Sequence, residues 1–217
     1  MAVLNLQDQE QFEAFKAWWK DNRNQILGAL LIVAVAVGGW RGWQYYQSKQ
    51  TGEAAIFYAE FTRQLDSHDA KRINDAAAAM TDKFATTPYA PRAALLAAQV
   101  NEQGGDRAHA KTQLQWVIAH ATEASLKDVA RLRLASIFLD EKNYADALKL
   151  LEAGHPASFD GLYADLKGDV LSAQGKIEEA RSTYQSAVDK TDAKSMYRNL
   201  IQMKLDALVS DKGAVAK

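Results

Sequence analysis

Cysteine is absent from the 217 residues. That excludes disulfide frameworks, thiolate zinc sites and cysteine nucleophiles. Proline is nearly absent, with only Pro88, Pro91 and Pro156, each where a helix can start or end. Thr87-Pro88 reads as a cap followed by a first-turn proline. No charge sign dominates: 26 basic and 27 acidic residues give a net charge of -1. No global field therefore recruits nucleic acid or an anionic surface. The four histidines, His68, His109, His120 and His155, form no H-x-x-x-H or H-E-x-x-H pattern. They read as surface or partly packed side chains, and no metal site is expected. G-x-S-x-G is missing, and Gly104-Gly105-Asp106-Arg107 lacks the spacing of a phosphate loop, so it reads as a turn. Asp165 and Asp169 stand one helical turn apart and read as a solvated face near a helix start. The expectation is a protein without cofactor, small-molecule substrate or catalytic residues.

What is present is uneven. Mean hydropathy is -0.31, a soluble-protein value. Yet four of the five tryptophans fall between positions 18 and 43, around an uncharged stretch at 24–40. At 1.5 Å per residue, some 17–20 residues give about 26–30 Å, close to the hydrocarbon thickness of a bilayer. Trp18 and Trp19 precede the stretch, and Trp40 and Trp43 follow it, as two interfacial aromatic belts. A buried core helix would have no use for them. A cleaved signal peptide fits poorly, because Ala34-Val35-Ala36 lies inside the apolar run and the preceding 23 residues hold four acids. An uncleaved transmembrane signal anchor fits best. Lys16, Lys20 and Arg23 before the span, against Arg41 and Lys49 after it, give a small bias toward a cytoplasmic N-terminus. Ala34, Gly38 and Gly42, four apart, would let another membrane helix pack closely. Phe12, Phe15 and Trp19 share a face of the preceding tail, which reads as a short amphipathic interfacial helix.

The rest reads as helix, at about 48–66, 70–85, 89–103, 107–120, 126–140, 144–153, 160–173, 177–190 and 194–209. The helices come in pairs with a recurring pattern. Ala98, Ala135 and Gly168 are the small residues on the first helix of successive pairs. Ala110, Ala147 and Ala180 are their counterparts on the second. Ala110 to Ala147 is 37 residues and Ala147 to Ala180 is 33, near the 34-residue tetratricopeptide period, with an inserted loop expected at 122–126. Small residues let paired helices approach, while Phe138, Tyr144, Leu151 and Tyr184 fill the space between pairs. Such pairs must stack into a solenoid, and the broad apolar face of the last helix suits a cap. The first helices would line a groove through Arg92, Leu95, Gln99, Val129, Leu132, Ser136, Leu139, Leu162, Asp165 and Asp169. Its mixed, apolar-centred lining suits an extended or helical polypeptide.

A short tail with F-x-x-W-W, one span, a helical repeat and a terminal helix reading MYRNLIQMKLDAL together resemble the YfgM-like family of bacterial inner-membrane proteins. These are ancillary subunits of the SecYEG translocon. The most specific pieces are the tail (Gln11-Phe12-Glu13-Ala14-Phe15-Lys16-Ala17-Trp18-Trp19) and the end (Gln202-Met203-Lys204-Leu205). The resemblance implies a single-pass inner-membrane protein with a periplasmic tetratricopeptide domain. It implies as partners the Sec translocon subunits and a membrane-bound periplasmic chaperone of the prolyl-isomerase type. The implied role is an adaptor linking emerging secreted proteins to periplasmic chaperones. A cell-envelope assembly scaffold binding another periplasmic factor is the alternative. The expected fold is all-α: a transmembrane helix, then a tetratricopeptide-like α-solenoid with a C-terminal capping helix. Its parts are an amphipathic tail (1–23), the anchor (24–43), a linker helix with a degenerate first pair (44–90), repeats (91–193), the cap (194–210) and a disordered tail (211–217).

Overall fold

The computed structural model describes the backbone of residues 2–67 and 69–215, and side chains from 10 to 208 except 68. His68, the side chains of the expected tail at 211–217, and residues 216–217 lie outside the described residues. Among those described there are α-helices, one short 3₁₀ turn and no strand. The helices are α1 (Ala2–Leu65), α2 (Ala70–Lys83), α3 (Tyr89–Gln103), α4 (Arg107–His120), α5 (Ala124–Asp140), α6 (Tyr144–Leu151), α7 (Asp160–Ala173), α8 (Ile177–Lys190) and α9 (Met196–Val215). The chain divides into two compact units, residues 1–50 and 51–217.

In the first unit the tail, the apolar stretch and the residues up to 50 are not separate helices but parts of α1. No proline interrupts them, and helical glycines weaken a helix without ending it. Within this unit Leu27, Leu30, Leu31, Ile32, Val33, Val35 and Val37 are all exposed. Gly38 and Gly42 have no atom within 4 Å of an added Cβ.

The second unit buries most of its large apolar residues in a series of cores. The end of α1 (51–65) contributes Ala54 and Phe61 to a core with Ile73, Ala77 and Met80 of α2 and Ala93 and Ala97 of α3. Next come a core around Leu114, Leu134 and Ile137, one around Ala147, Tyr163 and Val170, and one around Ala180, Tyr184 and Ile201. Ala98, Ala110, Ala135, Ala147, Gly168 and Ala180 are all buried. At Gly168 the reason is visible: an added Cβ would sit 2.6 Å from the Tyr184 ring.

Each pair turns the same way. Gly105, Lys142 and Gly175 adopt φ of 81°, 59° and 77°, the left-handed conformation that ends a helix. The next N–H groups reach back six to one, Asp106 to Asn101, Asn143 to Phe138 and Lys176 to Leu171, at 2.8–3.0 Å. Asp106 and Asn143 then cap the next helix. The backbone N–H of His109, and then its ring, hold the Asp106 carboxyl below the usual carboxylate range. Gly105, Lys142 and Gly175 are 37 and 33 residues apart, so the turn repeats with the packing sites.

Two local expectations change. Residues 122–126 are not an inserted loop, because α5 begins at Ala124. The 37-residue step is taken up by long helices, with 14 residues in α4 and 17 in α5, whereas α6 has only eight. Thr87 is not a cap for α3: it is buried, and its hydroxyl donates to the Phe84 carbonyl at 2.8 Å.

Candidate functional site

The first helices α3, α5 and α7, followed by α9, are laced together by polar side chains. Arg133 of α5 donates to the Leu95 carbonyl and to Gln99 Oε1 of α3, both at 3.3 Å. Arg92 pairs with Glu123 at 2.7 Å. Tyr163 of α7 donates to Oδ1 of the buried Asp128 of α5 at 2.9 Å, and Arg131 donates to the same oxygen at 2.8 Å. Burial, then the bond to Asp128, pushes the Tyr163 phenol up to about 12.

The largest correction falls on Asp165 and Asp169. They are not a solvated face. Asp165 is 2% exposed. Lys204 of α9 lies 2.9 Å from both Asp165 oxygens and 2.8 Å from Asp169, and the Tyr197 hydroxyl donates to Asp165. Tyr184 of α8 donates to Asp169 at 2.6 Å. Burial works against the Lys204 charge, but the bonds to Asp169 and Asp165 outweigh it and its pKa is raised. Tyr184 and Tyr197 are raised too, by burial first and then by their aspartates. This is the joint that seats α9 on α7 and α8.

Asp165 therefore leaves the expected groove lining, and so does Leu95, which is buried against Leu114 and Leu134. Arg92, Gln99, Val129, Leu132, Ser136, Leu139, Leu162 and Asp169 are half-buried. Leu132 and Leu139 pack against the core that contains Tyr163, and Val129 packs against the core that contains Leu134. At the N-terminal end, Leu65, Leu96, Gln99 and Val100 line a depression of about 440 Å³.

The row continues beyond the positions expected from the sequence. Arg92, Val129, Leu162 and Met196 are spaced 37, 33 and 34 apart, and so are Gln99, Ser136, Asp169 and Met203. The same two register positions thus recur on α9 as methionines. Met196 is 87% exposed, Met203 68% and Leu200 between them 47%. The broad apolar face expected for the last helix is two faces: Tyr197, Ile201, Leu205 and Leu208 pack inward, while Met196, Leu200 and Met203 face solvent. Unbranched methionine adapts to varied apolar partners. The 34-residue spacing was the available signal.

Residues 16–210 match the family described as a tetratricopeptide repeat-like domain. The chain belongs to that family. Within it, the YfgM-like resemblance of the two ends extends over nearly the whole length of several relatives. A protein of Neisseria gonorrhoeae is 29% identical over 95% of this chain and 99% of its own. One of Aggregatibacter actinomycetemcomitans is 28% identical over 95% and 100%. One of Escherichia coli is 28% identical over 93% and 96%. Each of these family members is named an ancillary SecYEG translocon subunit. No solved structure matches the chain. One helix of this family member, counted over Glu10–Leu65, is long and apolar enough to cross a membrane.

Proposed function

We propose that the chain is a non-enzymatic, single-pass inner-membrane adaptor that associates with the Sec translocon through its first unit and binds polypeptides with its second. The N-terminus faces the cytoplasm and the repeat domain faces the periplasm. There it links emerging secreted proteins to a membrane-bound chaperone of the prolyl-isomerase type. The observation that carries this reading is the exposed row Met196, Leu200 and Met203 in register with the first-helix face. A repeat protein has little other use for bare methionines on its terminal helix, which solubility asks to be polar. The exposed apolar residues of the first unit support lipid contact. Names and full-length similarity of the relatives support the translocon association.

Co-purification in mild detergent tests it. The full chain is expected to retain translocon subunits, and a chain lacking residues 1–45 to lose them. If the shortened chain keeps every partner, the reading fails and an envelope scaffold replaces it.

A further inference from the structure

A second cavity, of about 320 Å³, opens between the loop after α6 and the helices α7 and α8. Unlike the first-helix face, it draws residues from a second helix, α8. His155 stacks on Tyr163 with centroids 3.8 Å apart. Its Nδ1 faces the Ala153 carbonyl at 2.9 Å and its Nε2 lies 3.2 Å from Asp160 Oδ1. The other Asp160 oxygen is 3.4 Å from Lys190 Nζ. The one carboxylate lining the cavity thus has both oxygens engaged. Lys167 is half-buried and makes no hydrogen bond or ion pair among the described residues, and Ser186, which lines the same cavity, makes none either. The cavity lining carries two ammonium groups, Lys167 and Lys190, against the one carboxylate of Asp160, and a half-buried ammonium without a counter-charge is unfavourable.

We propose that this cavity binds an acidic side chain of a polypeptide partner, its carboxylate received by Lys167 and Lys190 and by the Ser186 hydroxyl. The ammonium groups of Lys167 and Lys190 act as point charges, and against Asp160 they leave one net positive charge in the lining, which matches a singly charged carboxylate rather than a doubly charged phosphate. The proposal does not depend on association with the translocon.

The test uses the full chain in detergent micelles and a fluorescent Gly-Ser-Glu-Glu-Ser-Gly peptide, read by anisotropy. The peptide with glutamine in place of glutamate is expected to bind about tenfold more weakly, as is the original peptide to Lys167→Gln. Lys149→Gln, at an exposed site on α6 outside the cavity, is expected to change nothing. Ser186→Ala gives a second, charge-preserving loss should Lys167→Gln lower the melting temperature. Equal binding of the two peptides would overturn the proposal. So would equal affinities of Lys167→Gln and Lys149→Gln, or inorganic phosphate displacing the peptide better than acetate does.

Discussion

The apolar segment at 24–43 and the repeat domain are both helical and rich in alanine, yet they treat alanine in opposite ways. Ala29, Ala34 and Ala36 are exposed, whereas Ala98, Ala110, Ala135, Ala147 and Ala180 are buried to 1% or less. The intrinsic helix propensity of alanine is the same in both. What differs is the company. In the repeats alanines are interspersed with large apolar and charged residues, so one face is selected for packing while Ala108 and Ala145 on other faces stay exposed. In the segment every face is equally apolar, so none is preferred, and a surrounding of lipid serves all of them.

Four substitutions and one pH series bear on this contrast. The largest effect is expected from Lys204→Met. It leaves Asp165 buried without its cation, at a cost of about 3 kcal/mol, read as a fall in the denaturant midpoint of the domain. Next is Gly168→Val, which drives carbon into the Tyr184 ring and costs about 2 kcal/mol. Ala34→Leu, also an added bulk on a small site, should leave the melting of the domain unchanged. An equal loss from both would erase the contrast.

A graded loss is expected at alkaline pH. Tyr163, Tyr184 and Tyr197 keep their protons to higher pH when folded than when unfolded. Their contribution is complete below about pH 10 and is lost as pH rises beyond it. Denaturation curves between pH 8 and 11 check this, and a flat profile would contradict it. The smallest effect is a gain. Lys142 is a non-glycine residue at positive φ, so Lys142→Gly should stabilise the domain by about 0.5 kcal/mol.

Much of the repeat was legible because its signals are local. Helix boundaries at 89–103, 107–120, 160–173 and 177–190 follow from turns and caps, and the buried small residues follow from their spacing. The polar joint was not legible. Asp165 and Asp169 sit where solvated carboxylates often sit, and their partner Lys204 is 39 and 35 residues away in the sequence. Only the stacking of α9 on α7 brings them together. Leu95 was misplaced for a related reason: the residue that lies over a surface is settled by how far each helix rotates against its neighbours.

Site-specific photocrosslinking of the full chain in membranes, from Gly38 in the apolar segment and from Met203 on the terminal helix, tests the adaptor reading most directly. Position 38 is expected to capture translocon subunits, and position 203 to capture exported polypeptides or a chaperone. A chain that captures neither class from either position would contradict it.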